Sequence, residues 1–167
     1  TESINKNDKQ VKSLKINNDS SKDALESYYK LMSFLHFVPE TERLFIASPS
    51  KRRNLIDNFI YSYFKEYNTL INFYNKNIVE RSKLLTFNKY DLNWLNKIEE
   101  NISTSGMQIY LFRSKQIKIL TKYLNYFFEQ FKMSYLVTVN LNDNFYNKDL
   151  TIEIFKNYLK ENRKDDS

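Results

Sequence analysis

"SPSKRRNLIDNFIYSYFKEYNTLINFY", residues 48–74, opens on a helix start and runs into a long apolar stripe. Ser48 suits an N-cap and Pro49 the first helical position, where the missing proline N–H would go unbonded anyway. Apolar residues then recur at steps of three and four: Ile56, Ile60, Tyr63, Tyr67, Leu70 and Tyr74. That spacing lines one face of a helix, and the face fades through Asn77 and Arg81 to Leu84. Lys51, Arg52 and Arg53 stand in the first turn, where the helix dipole disfavours cations by up to roughly 1 kcal/mol. Two readings of this cluster stay open. Either Lys51 is solvated and the arginines pair with carboxylates such as Glu40 or Asp57, or the arginines contact DNA phosphate or brace neighbouring elements.

Downstream, "TFNKYD", residues 86–91, breaks the pattern, and Asp91 can cap a second helix. Its stripe is Leu95, Ile98, Ile102, Ser105, Ile109, Phe112, Gln116, Ile119, Tyr123 and Tyr126. Two matching seams and a short connection predict an antiparallel helical hairpin over residues 48–130, each arm extending roughly 50 Å. Trp94, near the turn, is read as a plug in the seam before a docking point. Lys115, Lys118 and Lys122 share one helical face, with Arg113 nearby. They are a solvated face or a phosphate-contacting stripe. In the hairpin this stripe returns towards Lys51, Arg52 and Arg53, so one basic surface is expected near the base of the arm. The Tyr and Phe stripe is core before it is a base-stacking platform.

The flanks are shorter elements. "VKSLKIN" places Val11, Leu14 and Ile16 on an edge strand, with a turn following at "NNDSS". "KDALESYYKLM" spaces Leu25, Tyr28, Tyr29 and Met32 as a short helix, and "MSFLHFV", ended by Pro39, reads as a buried strand. His36 within it is a core or edge histidine. "KMSYLVTVNL", residues 132–141, predicts a returning strand. "DLTIEIFKNYLKENR" sets Ile152, Phe155 and Leu159 on one face of a last helix. The fold class is therefore α/β, mostly helical, divided as 1–47, 48–130 and 131–167.

Composition excludes several chemistries. There is no cysteine, so there are no disulfides and no thiolate metal sites, and a reducing compartment is favoured. A single histidine forbids a His-pair zinc site. A single glycine, Gly106, cannot build a phosphate-cradling P-loop, which needs two. No carboxylate pair or nucleophile–base arrangement stands out. The net charge of +6 permits nucleic-acid binding, although Lys, Asn, Ile, Tyr and Phe are abundant together, as AT-rich codons produce. No apolar run is long enough for a membrane span. The chain does not begin with Met and is expected to be trimmed or part of something longer.

An α/β head interrupted by an antiparallel coiled arm is the plan of SMC-like ATPases, and within them the chain resembles the RecF family. That family carries "FSPED", a short helix, then "GSPSERRRFLD"; this chain has "FVPET", Phe37 to Thr41, then "ASPSKRRNLID", Ala47 to Asp57. Later landmarks follow: Tyr74, "ERSKLL" from Glu80 to Leu85, Trp94-Leu95, Gly106 and Arg113. Lys51 stands where the family has a Glu that would complete a capping box. The resemblance implies an internal piece of an SMC/ABC-type ATPase head with an inserted helical arm. It implies a cytoplasmic DNA repair and recombination mediator that binds DNA at gapped or single-strand–double-strand junctions. The parent would use ATP and Mg, dimerise when ATP is bound, and act with RecO and RecR to load RecA. It also puts Pro39 and Glu40 in a nucleotide-sensing loop, and makes Lys51, Arg52, Arg53, Lys115, Lys118 and Lys122 candidates for DNA contact. The segment itself would bind no nucleotide. A helical scaffold docking a protein partner is the alternative.

Overall fold

The computed structural model describes residues 2–6, 9–13, 15, 17–31, 46, 48–86, 91–134, 138–141 and 150–166. The chain divides into two compact units, Thr1–Pro39 and Glu40–Ser167.

In the first unit, β1 (Glu2–Lys6) and β2 (Lys9–Ser13) pair antiparallel, with Ile4 opposite Val11. The expected edge strand thus has a partner that the sequence reading lacked. Leu14 and Ile16 lie outside the described residues. Asn17 and Asn18 take positive φ values of 51° and 67°, a backbone that asparagine tolerates better than most side chains, and make the turn foreseen at "NNDSS". Helix α1 (Lys22–Leu31) follows. The Ser21 hydroxyl accepts from the Ala24 N–H at 3.2 Å, and Asp19 accepts in turn from the Ser21 N–H at 2.7 Å. The strand predicted at "MSFLHFV", with His36, lies outside the described residues.

The second unit is built from helices α2 (Pro49–Tyr63), α3 (Glu66–Thr86), α4 (Leu92–Gln130) and α5 (Ile152–Glu161). Pro49 opens α2 as expected, whereas the Ser48 side chain caps no backbone N–H and instead meets the Ser50 hydroxyl at 2.9 Å. Asp91 and Thr151 do cap their helices, accepting from Asn93 and Ile154 N–H groups. α3 and α4 run in opposite directions along each other. Asn77 meets Asn101, Arg81 meets Glu99, and Tyr67 packs edge-on to Phe112 with ring centroids 5.5 Å apart.

The expected uninterrupted helix over 48–84 is two helices. Phe64 is extended (φ −129°, ψ 91°) and its N–H still bonds Ile60 O, so α2 ends there and α3 starts two residues on. No proline or glycine forces this break. Tertiary contacts do: Phe64 stacks on Phe112 of α4 at 5.0 Å, and the Tyr67 hydroxyl donates to Asp57 at 2.7 Å. In a continuous helix Asp57 and Tyr67 would be about 15 Å apart along the axis, beyond the reach of their side chains. α2 therefore turns back and packs on both α3 and α4.

The core has two centres. Ile60, Tyr67 and Ile109 are buried together, with Ile56, Phe64, Leu70, Ile71, Tyr74 and Phe112 around them. Ile98, Ile102 and Leu159 form the second, with Tyr74, Leu84 and Phe155. Each fully buried side chain of this kind contributes roughly 1.5–3 kcal/mol. Tyr63, placed in the seam by its spacing, is exposed, because the bend at Phe64 rotates the register. Ile119, Tyr123 and Tyr126 are also exposed: the last buried residue of α4 is Ile117, and beyond it Leu120, Leu124 and Phe128 are only half-buried. Trp94 is 51% exposed rather than a plug, since the neighbouring Leu95 takes the seam position. At the predicted returning strand, residues 138–141 carry no strand structure, and 135–137 lie outside the described residues. α5 forms as predicted, with Phe155 and Leu159 facing α4.

Candidate functional site

Arginines and carboxylates placed inside the helical unit must be paired, because an isolated buried charge costs several kcal/mol. Two clusters meet that demand. In the first, Arg113 of α4 grips Asp57 of α2 with two parallel bonds, Nε to Oδ1 and Nη2 to Oδ2, each 2.8 Å. The Tyr67 hydroxyl donates to Oδ1 as well. Burial works against the Arg113 charge, but the hydrogen bonds and charge of Asp57 outweigh it and raise its pKa. The Tyr67 phenol is raised well above the ordinary value, by burial first and then by the bond and charge of Asp57. Asp57 is thus bound by Arg113, and this bidentate pair occupies both its carboxylate oxygens.

The second cluster joins three helices. Glu99 is fully buried on α4. It accepts from Arg81 Nε of α3 at 3.1 Å and from Arg163 Nε, beyond α5, at 2.9 Å. Arg163 Nη2 also reaches Glu99 Oε2 and Asn96 Oδ1. Arg81 spends its other donors on Asp166 and on the Leu159 carbonyl, both at 2.6 Å. Two cations meet two anions, and no buried side-chain polar atom among the described residues lacks a partner.

Between the clusters sits Gly106. A Cβ there would fall 2.5 Å from the Phe155 ring and 3.0 Å from the Tyr74 ring, so only glycine lets these two rings close over α4. Gly106 is therefore mid-helix and covered, which does not fit a loop wrapped around nucleotide phosphates. The described residues also hold no group of three carboxylate or histidine side chains placed for a metal ion. Among the described residues, neither Gly106 nor any carboxylate cluster is arranged to hold the ATP and Mg that the resemblance implies for the parent.

All six candidate cations are exposed. Lys51, Arg52 and Arg53 lie on the first turns of α2. Burial raises the Tyr74 phenol, and the charges of Arg113 and Arg53 both offset this, so the α2 cluster and Arg113 share one neighbourhood. Lys115, Lys118 and Lys122 sit further round. At about 100° per residue they are roughly 140–200° from Arg113, on the outer face of α4. The cations therefore form two strips, one at the start of α2 and one on the back of α4. Pro39 and Glu40 lie outside the described residues. The resemblance had singled out Gly106 and Arg113 only as landmarks, and Arg81 stood only in the fading stripe and in "ERSKLL"; Glu99, Arg163 and Tyr67's bond to Asp57 carried no sequence signal.

These features define a helical bracing segment, with internal arginines that lock helices and outer cations open to solvent. Its relatives place it further: the chain is RecF-like over about three fifths of its length. Over 102 residues it is 28% identical to the DNA replication and repair protein RecF of Rickettsia bellii, covering 61% of this chain and 28% of that protein. RecF of Rickettsia typhi is 31% identical over 102 residues, again 61% of this chain and 28% of the relative. RecF of Rickettsia canadensis is 27% identical over 107 residues, 64% and 30% respectively. The chain thus spans under a third of the length of the relatives it matches. No family model and no solved structure matches the chain. No described helix is long and apolar enough to cross a membrane.

Proposed function

We propose that the chain is a segment of a RecF-like DNA replication and repair protein, with residues 48–130 as the arm of an SMC/ABC-type ATPase and 1–47 and 131–167 as the parts that join it to the head. The similarity to RecF over 102 residues carries this reading. The longer protein binds ATP and Mg outside this segment and dimerises through its heads. It binds DNA at gapped or single-strand–double-strand junctions and works with RecO, RecR and RecA in the cytoplasm. Within the segment, Lys51, Arg52, Arg53, Lys115, Lys118 and Lys122 meet DNA phosphates, and Pro39 and Glu40 belong to a nucleotide-sensing loop. The exposure of all six cations supports their part.

The test is binding of the longer protein to gapped and blunt duplexes, with and without ATP. Tighter, ATP-dependent binding to the gapped substrate is expected; indifference to DNA structure and to ATP would refute the reading. A second reading, a scaffold docking a protein partner, has one observation in its favour: Leu92 and Trp94, 57% and 51% exposed, both stand in the first turn of α4. A gene with no P-loop sequence upstream of this segment would favour the scaffold.

A further inference from the structure

Beyond Ile117 no residue of α4 is fully buried, and its exposed residues there follow a regular pattern. Lys115, Ile119 and Tyr123 form one row at i, i+4 spacing; Lys118, Lys122 and Tyr126 form the adjacent row. Such rows lie side by side on a helix surface. Tyr123 and Tyr126 are 65% and 62% exposed, and Ile119 is 36% exposed. Each row thus runs from lysine to an open aromatic ring, over about 12 Å of helix.

Cations beside exposed aromatic rings match one ligand chemistry, a polyanion whose repeating units carry flat apolar faces. A protein partner is less well matched, because the cores of protein interfaces are depleted in lysine. Duplex DNA presents its phosphates, but its base faces are closed in the stack; an unpaired strand presents both. We infer that the outer face of α4 from Lys115 to Tyr126 is a docking ridge for a single nucleic-acid strand, with phosphates on the three lysines and bases stacked on Tyr123 and Tyr126. This rests on the DNA-binding reading and deepens it.

The experiment uses the 167-residue chain and fluorescence anisotropy with three labelled probes of equal length: oligothymidylate, an abasic deoxyribose-phosphate oligomer and a duplex. Variants are Tyr123→Leu with Tyr126→Leu, which keeps apolar bulk without a π face, and Tyr123→Phe with Tyr126→Phe. Helicity is checked by circular dichroism. The wild-type chain should prefer oligothymidylate to the abasic oligomer. The Leu pair should lose about tenfold or more on oligothymidylate while leaving abasic and duplex binding unchanged. The Phe pair should bind like wild type. With three lysines on a single strand the logarithmic salt slope should be about −2. Duplex binding that persists while the Leu pair binds oligothymidylate normally overturns the ridge and leaves DNA binding standing. No binding to any probe overturns the ridge and with it the part of the three lysines in DNA binding. Equal loss on the abasic oligomer also overturns it, since stacking is then not involved.

Discussion

The Arg113 guanidinium on α4 holds the Asp57 carboxylate on α2 by two parallel 2.8 Å bonds, joining residues 56 positions apart in sequence. This fork, with the Tyr67 hydroxyl on the same carboxylate, fixes the bend that makes two helices out of one apolar stripe. Replacing Arg113 by Lys keeps the charge but cannot reproduce the fork. Arg113→Lys should lower the unfolding free energy by roughly 1–3 kcal/mol, read by urea denaturation. A change within the scatter of ordinary surface substitutions would mean the fork does not hold the bend.

Glu99 answers two arginines in a fully buried position. Glu99→Ala leaves Arg81, itself buried, without its α4 partner. The expected loss is about 3–5 kcal/mol, the cost typical of breaking a buried pair from one side. Full retention of the thermal midpoint in this variant would show the network to be solvated in solution.

Gly106→Ala separates packing from propensity. Alanine favours a helix by roughly 1 kcal/mol over glycine, so an exposed site would be stabilised. Here the new methyl meets the Phe155 ring at 2.5 Å, and a net loss of about 1–3 kcal/mol is expected. Combining it with Phe155→Leu should recover part of that loss in a double-mutant cycle. Additivity of the two changes would contradict the close approach.

Tyr67 gives the fold a pH dependence. Its phenol is raised in the folded state, so the fold holds that proton more tightly than the unfolded chain does. The associated stability is fully present below the unfolded value of about 10 and is lost as pH rises through the folded value. Wild type should therefore lose stability between pH 10 and higher pH more steeply than Tyr67→Phe, at the cost of roughly 1 kcal/mol in the variant at neutral pH. Parallel pH profiles would contradict the assignment. Tyr74, raised as well, is common to both proteins and cancels in the comparison.

Much of the core was legible from spacing alone: Ile60, Tyr67, Leu95, Ile98, Ile102 and Ile109 are buried where the stripes put them. The bend at Phe64 was not, because nothing local breaks the helix there; its causes lie on α4 and in Asp57. Asn77 and Arg81 look like the fading of a seam, yet both are buried, since their partners come from α4, from α5 and from beyond it. Polar residues enter a core only with such partners, and a single stripe does not reveal them. Trp94 was misplaced for a simpler reason. One residue from Leu95, it is about 100° off the seam, which the periodicity itself could have shown. Of the candidate cations, exposure was legible but the separation into two strips was not, because it depends on α2 turning back.

The proposed role of those cations is tested most directly by the salt dependence of duplex binding in the longer protein carrying two charge-removal pairs, Arg52→Ala with Arg53→Ala and Lys118→Ala with Lys122→Ala. If all six cations meet phosphates, the logarithmic salt slope is about −5, and each pair should reduce it by roughly 1 to 2 and weaken binding across sequences. Circular dichroism confirms that the variants stay folded. Folded variants with unchanged affinity and unchanged slope would contradict the account, leaving both strips as solvated helix faces with no part in DNA binding.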